Sequence, residues 1–158
     1  MSGVVSGVVT HKLNQSRDER KFRRQRLEEV FVAFMGFTKD LSLTWMRMLT
    51  VMQGHLDYIQ ALDLEIAARS GDAQHLDKLD MLIVLYWPEM TPHLKRLMAT
   101  RDKGGDAIIR HKERYTAGHR HDQKSSDAIT ALLHELDQLE KDFAAAARAE
   151  AVKLQGVG

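Results

Sequence analysis

Apolar residues recur every three or four positions over most of this chain, and that spacing predicts helices. The first set is Leu27, Val30, Phe34, Phe37 and Leu41. Trp45, Met48, Met52, Leu56, Ile59, Leu62 and Ile66 continue it. One long amphipathic helix from about Asn14 to about Ala68 accounts for all twelve, with the stripe turned to a core. Gly36 and Gly54 fall inside the pattern, each at about 1 kcal/mol relative to alanine. Gly54 is the expected kink or break. Ser70-Gly71-Asp72 then ends the segment: glycine suits the left-handed C′ position, and aspartate can cap the next helix.

A second helix is expected over about Ala73 to Tyr86. Residues 81–87, MLIVLYW, are continuously apolar and would also suit a buried strand. Leu76, Leu79, Ile83 and Tyr86 sit at helical spacing, and no partner strand exists, so helix is preferred. Both prolines of the chain follow, at Pro88 and Pro92. Proline belongs in a first helical turn, so a break is expected here, with either Thr91 capping and Pro92 at N1, or Pro88 at N1. A third helix follows from about His93 to Arg114. Gly104-Gly105 is expected to interrupt it, with Asp106 recapping the second half. Residues 117–122, AGHRHD, read as a loop. The fourth helix is the most regular: Ile129, Leu132, Leu136, Leu139, Phe143 and Ala146 alternate steps of three and four, a coiled-coil-like seam. Ser126 or Asp127 is its expected cap.

The expected architecture is all-α: an elongated antiparallel bundle of about four helices, with long first and last members. One helical-bundle domain spans residues 14–154. Residues 1–13 are expected to be a flexible or anchor-remnant N-terminus, and residues 155–158 a frayed tail. Composition agrees. Two prolines, ten glycines and 6% aromatic residues in 158 residues lean away from strands, and 44% apolar residues suffice for a core. The absence of cysteine removes disulfides, thiolate metal sites and cysteine nucleophiles. Net charge is only +1, unlike most global nucleic-acid binders. Its distribution is uneven, however. Residues 11–26 hold seven Lys/Arg against two acids, residues 27–94 four against ten, residues 95–124 nine against four, and residues 125–158 three against six. Alternating blocks of this kind suit antiparallel pairing or association between copies.

Three groups of residues carry candidate chemistry. Arg17, Arg20, Lys21, Arg23, Arg24 and Arg26 crowd what the pattern makes a helix start, beside Val4–Val9 and Phe22. Such a run attracts anionic lipid or phosphate, or pairs with the chain's own acidic block. Cations sit poorly at the positive end of a helix dipole, which points to an earlier helix start or to another partner for the charge. His111, His119, His121 and Asp122 could ligate a divalent metal, but their spacing fits no zinc signature. Asp72 with His75, Asp77 with Asp80, and Asp137 with Glu140 resemble fragments of metal-binding helix motifs, which also arise on solvated faces. Trp45, Met46, Met48, Met52, Met81, Tyr86, Trp87, Met90 and Met98 read as core rather than as a ligand pocket. No phosphate-binding loop, nucleophile elbow or dinucleotide fingerprint is present. No cofactor is therefore expected, and an enzyme is disfavoured.

LYWPEM at 85–90 resembles the Tyr-aromatic-Pro-Glu-Leu turn between two helices of small uncharacterised bacterial helical proteins. Residues 3–31, beginning GVVSGVVTHKLNQSRDERKFRRQRLEE, resemble the end of the membrane anchor and basic flank that such proteins carry. Here the apolar part is Val4–Val9, far below the roughly 20 residues of a spanning helix. The resemblance implies a helical bundle and carries over no catalytic residue. The expected function is a non-enzymatic interaction or scaffold protein, homodimeric, cytoplasmic and able to sit peripherally at the inner membrane. The alternatives are a nucleic-acid-binding module using residues 17–26 and 95–124, and a metal- or small-molecule-dependent enzyme built in the bundle core.

Overall fold

The computed structural model describes residues 3–68 and 75–155; for residues 3–14, Ala68 and His75 it describes the backbone alone. Among these residues the chain is all-α. The helices are α1 (Gly3–Met52), α2 (Tyr58–Ala68), α3 (His75–Tyr86), α4 (Thr91–Thr116) and α5 (Gln123–Gln155), with a 3-10 turn at Pro88–Met90. The continuously apolar segment at 81–86 is helix, not strand. The expected Ser70-Gly71-Asp72 turn lies outside the described residues.

The expected first helix is two helices. α1 already begins at Gly3, which removes the conflict between the basic run and the helix dipole. It ends at Met52 in a Schellman motif. Gly54 adopts φ +79° at C′, its N–H donates to the Val51 carbonyl, and the His55 N–H donates to the Thr50 carbonyl. Asp57 then opens α2 through a reciprocal capping box: the Gln60 N–H donates to Asp57 Oδ1 at 2.8 Å, and the Asp57 N–H donates to Gln60 Oε1 at 3.1 Å. α4 ends the same way as α1. Gly118 takes φ +95°, and the Gly118 and His119 N–H groups donate to the Tyr115 and Arg114 carbonyls.

α1 is the spine. At 1.5 Å per residue its 50 residues extend about 75 Å. α5 runs against it: the Asp122 N–H, just before α5, donates to the Met52 carbonyl at the end of α1, while Glu150 and Leu154 share a cleft with Ser16 and Glu19. Phe34 and Phe143 stack across this seam, 3.8 Å between ring centroids and nearly parallel. The seam read from the sequence is buried through Phe143, and Ala147 rather than Ala146 completes it. α4 binds α5 along a polar edge, where Arg96 meets Asp142 at 3.0 Å and the Thr100 hydroxyl donates to Glu135 at 2.8 Å. The buried core gathers Leu27, Val30, Phe34, Trp45 and Met52 of α1 with Leu79, Leu82 and Ile83 of α3, Leu97 of α4, and the α5 seam. Each such side chain contributes about 1.5–3 kcal/mol relative to exposure.

Two expectations about local structure are corrected. Met90, not Thr91, is the residue before α4, and both prolines find first turns: Pro88 opens the 3-10 turn and Pro92 lies in the first turn of α4. Gly104-Gly105 does not interrupt α4, which is continuous from Thr91 to Thr116. Gly104 is buried because α4 approaches α1 closely there. A Cβ at Gly104 would collide with the Trp45 ring, whereas one at Gly105 would meet nothing within 4 Å.

The two neighbouring glycines should therefore respond oppositely to alanine. Gly104→Ala is expected to lower the unfolding free energy by about 1–3 kcal/mol, the usual result of overpacking. Gly105→Ala is expected to raise it, by up to about 1 kcal/mol, through helix propensity. Urea unfolding of the two variants checks this. Equal responses would show that the Trp45 contact does not constrain α4.

Candidate functional site

Three sites come out of the fold: a buried polar cluster where α1 meets α5, a basic cleft at the opposite end, and an apolar surface along α2 and α3.

The polar cluster is built by the loops. Asp122 caps α5, accepting the Ser125 N–H at Oδ1 and the Ser125 hydroxyl at Oδ2, 3.3 and 2.8 Å away. The expected caps, Ser126 and Asp127, lie inside the helix instead. Capping requires Asp122 to face inward, and there it meets His111 of α4. His111 Nδ1 lies 3.9 Å from Asp122 Oδ2, and Arg114 Nε lies 3.5 Å from the same oxygen. His111 is fully buried, and neither ring nitrogen has a hydrogen-bond partner. Tyr58 of α2 stacks on the imidazole at 5.7 Å between centroids, and Tyr115 meets Tyr58 edge-on at 4.9 Å. Burial pushes the Tyr58 phenol up to about 12, with Tyr115 and Asp122 adding to the shift. Burial pulls the His111 imidazole below its ordinary value, against the attraction of Asp122. Burial would raise the Asp122 carboxyl, but its two bonds from Ser125, with Arg114 and His111, hold it low.

Of the four candidate metal ligands the fold brings together His111 and Asp122 alone. His119 and His121 are exposed on the loop, and the His121 ring lies over Gly54. Among the described residues no group of three or more His, Asp or Glu could hold a metal ion. His111 and Asp122 are closed to solvent, so no substrate reaches them in this conformation. The cluster ties together the end of α1, the start of α2, the end of α4 and the start of α5. Asp77 and Asp80 are exposed on α3, and Asp137 pairs with Lys141 at 2.6 Å. Asp72 lies outside the described residues.

The basic run spreads around α1. Arg17, Lys21 and Arg24 are exposed at steps of four and three, with Arg24 3.4 Å from Glu28. Arg20 and Arg23 turn towards α5 and line a cleft of about 350 Å³ with Trp87, Glu150 and Lys153. The Arg23 guanidinium lies 5.1 Å over the Trp87 ring. Arg26 pairs with Glu29 at 2.7 Å and covers the rings of Phe22 and Tyr86. In the second basic block, Arg96, Arg101, Lys103 and Arg114 all meet carboxylates of the chain itself.

The apolar surface is the site the sequence pattern misplaced. Ile59, Leu62 and Ile66, expected in the core, are 72, 56 and 61% exposed. The face α2 turns inward is Tyr58, Ala61 and Glu65. Glu65 accepts from Arg47 at 2.6 Å and from the Thr44 hydroxyl at 3.1 Å. α2 thus leaves its isoleucines and leucines outward and turns Tyr58, Ala61 and Glu65 inward. On α3, Met81, Val84 and Leu85 are also exposed beside the buried Leu79, Leu82 and Ile83. Leu43 and Met46 of α1 extend the same exposure. Among the described residues no helix is long and apolar enough to cross a membrane.

The polar cluster makes stability depend on pH. The unfolded chain binds a proton at His111 near its ordinary value of about 6.5, while the folded chain resists it. Stability is therefore complete above that value and falls as pH drops below it, with a limiting slope of about 1.4 kcal/mol per pH unit for one proton. The depressed Asp122 acts separately, at lower pH: its contribution is present above the ordinary carboxylate value and is lost as pH falls through its own. His111→Phe, which keeps the ring and removes the titration, should flatten the loss between about pH 6.5 and 5. Urea unfolding across that range checks it; an unchanged pH profile would place the sensitivity elsewhere.

No known protein family, curated protein or solved structure matches this chain.

Proposed function

We propose that this chain is a non-enzymatic helical interaction protein, a bundle of antiparallel helical columns in which α2 and α3 share one column and offer it to a partner. The outward apolar stripe of α2 carries this reading. Ile59, Leu62 and Ile66 recur at the three-four spacing by which helices dock on helices. A water-facing helix that served the fold alone would carry its apolar residues inward. Exposed apolar patches beyond a few hundred Å² on a soluble chain mark contact surfaces.

Leu62→Gln combined with Ile66→Gln is the test. In dilute solution the variant should keep its helical circular dichroism and change unfolding free energy by under about 1 kcal/mol, as surface substitutions do. It should also bind the apolar dye bis-ANS at least about twofold less. Loss of the fold, or undiminished dye binding, would overturn the reading.

A second, peripheral-membrane role is supported by the exposed stripe Arg17, Lys21 and Arg24, since basic residues near an anionic surface contribute about 1 kcal/mol each. Vesicles containing phosphatidylserine should co-sediment the chain at low salt, and neutral phosphatidylcholine vesicles should not. Charge reversal at Arg17 and Lys21 should abolish the difference. Equal recovery with both vesicle types would remove this role.

A further inference from the structure

We infer that the partner of the α2–α3 column is a second copy of this chain, related by a two-fold axis that lays α2 of one protomer on α3 of the other. The inference rests on the interaction reading above and gives it an occupant.

Two observations carry it. The first is the order of the column. Glu65 of α2 meets Thr44 and Arg47, whereas Tyr86 of α3 meets Phe22 and Arg26. α2 and α3 thus occupy successive stretches of α1, and both run against it. Their exposed residues, Ile59, Leu62 and Ile66, then Met81, Val84 and Leu85, form two apolar segments along one column. A two-fold axis between them exchanges the segments, as a self-complementary interface requires.

The second is area. The six exposed residues of the two segments present on the order of 700 Å², close to the roughly 800 Å² per partner of a standard interface. A monomer rarely leaves more than about 300–600 Å² as one apolar patch.

Sedimentation velocity of the full chain at micromolar concentration should give a dimer, twice the 18.0 kDa of the chain. Ile59→Gln/Leu62→Gln, on α2, and Val84→Gln/Leu85→Gln, on α3, should each weaken the dimer at least about tenfold. Mixing the two variants distinguishes the geometry. In the mixed dimer both altered faces meet each other and one native α2–α3 contact survives, so association should exceed that of either variant alone. A monomeric native chain, variants that dimerise like the native chain, or a mixture no tighter than its components would each overturn the inference. If the native chain is monomeric but Leu62→Gln/Ile66→Gln still lowers bis-ANS binding, only the second copy is ruled out. If dye binding is also unchanged, the interaction reading falls with it.

Discussion

The reversal between Met52 and Tyr58 fixes the side on which α2 shows its apolar residues, and most of the molecular surface follows from it. Within one continuous helix Ile59, Leu62 and Ile66 would share a face with Trp45, Met48 and Met52. Glycine at C′ ends α1 at no steric cost. Asp57 and Gln60 restart the helix with their own backbone groups satisfied. The five residues between the helices follow no helical pitch, so the phase of the stripe is lost across them. α2 then folds back on α1 with Ala61 and Glu65 inward.

The two ends of the molecule are held by different physics. Along its length, α1 and α5 are joined by close apolar packing such as Phe34 on Phe143, which carries no titrating group. Where α1 meets α5, Asp122 simultaneously caps α5 with its side chain, holds the Met52 carbonyl with its N–H, and faces His111 and Arg114. A buried carboxylate is tolerated there because its oxygens are satisfied by Ser125 and offset by Arg114. The cost falls on His111, whose ring nitrogens have no partner and which must remain neutral. His111, and at lower pH Asp122, make this buried polar junction responsive to protons.

Much of the fold was legible as pattern. The α5 seam, the break at the two prolines, the loop at 117–122 and the ending role of Gly54 all rest on local rules, and local rules survive folding. What was misread depends on a partner remote in sequence. Gly104 looks like a helix breaker until Trp45 is known to lie against it. His111 looks like one of three loop-end histidines until Tyr58 closes over it. Asp57-Tyr-Ile-Gln60 was the overlooked signal: a capping box in the sequence announces a new helix start, and with it a new phase for the apolar stripe. The direction of the new phase was not legible, because periodicity gives the width of a face and not the side it is turned to.

Glu65 supplies that direction. Apolar burial has no orientation, so a rotation that turned Ile59, Leu62 and Ile66 inward would also bury apolar surface. The Arg47–Glu65 pair is only one-fifth exposed, and it closes at 2.6 Å only with Glu65 turned inward. Rotating α2 would separate these largely desolvated charges and leave Arg47 without this carboxylate, a loss of the kind that outweighs what an added leucine contact returns. A modest ion pair, worth little as stability in itself, thereby excludes the alternative rotation. The same contact that looks like a weak way to attach α2 keeps Ile59, Leu62 and Ile66 outward, and so holds the column open for whatever docks on it.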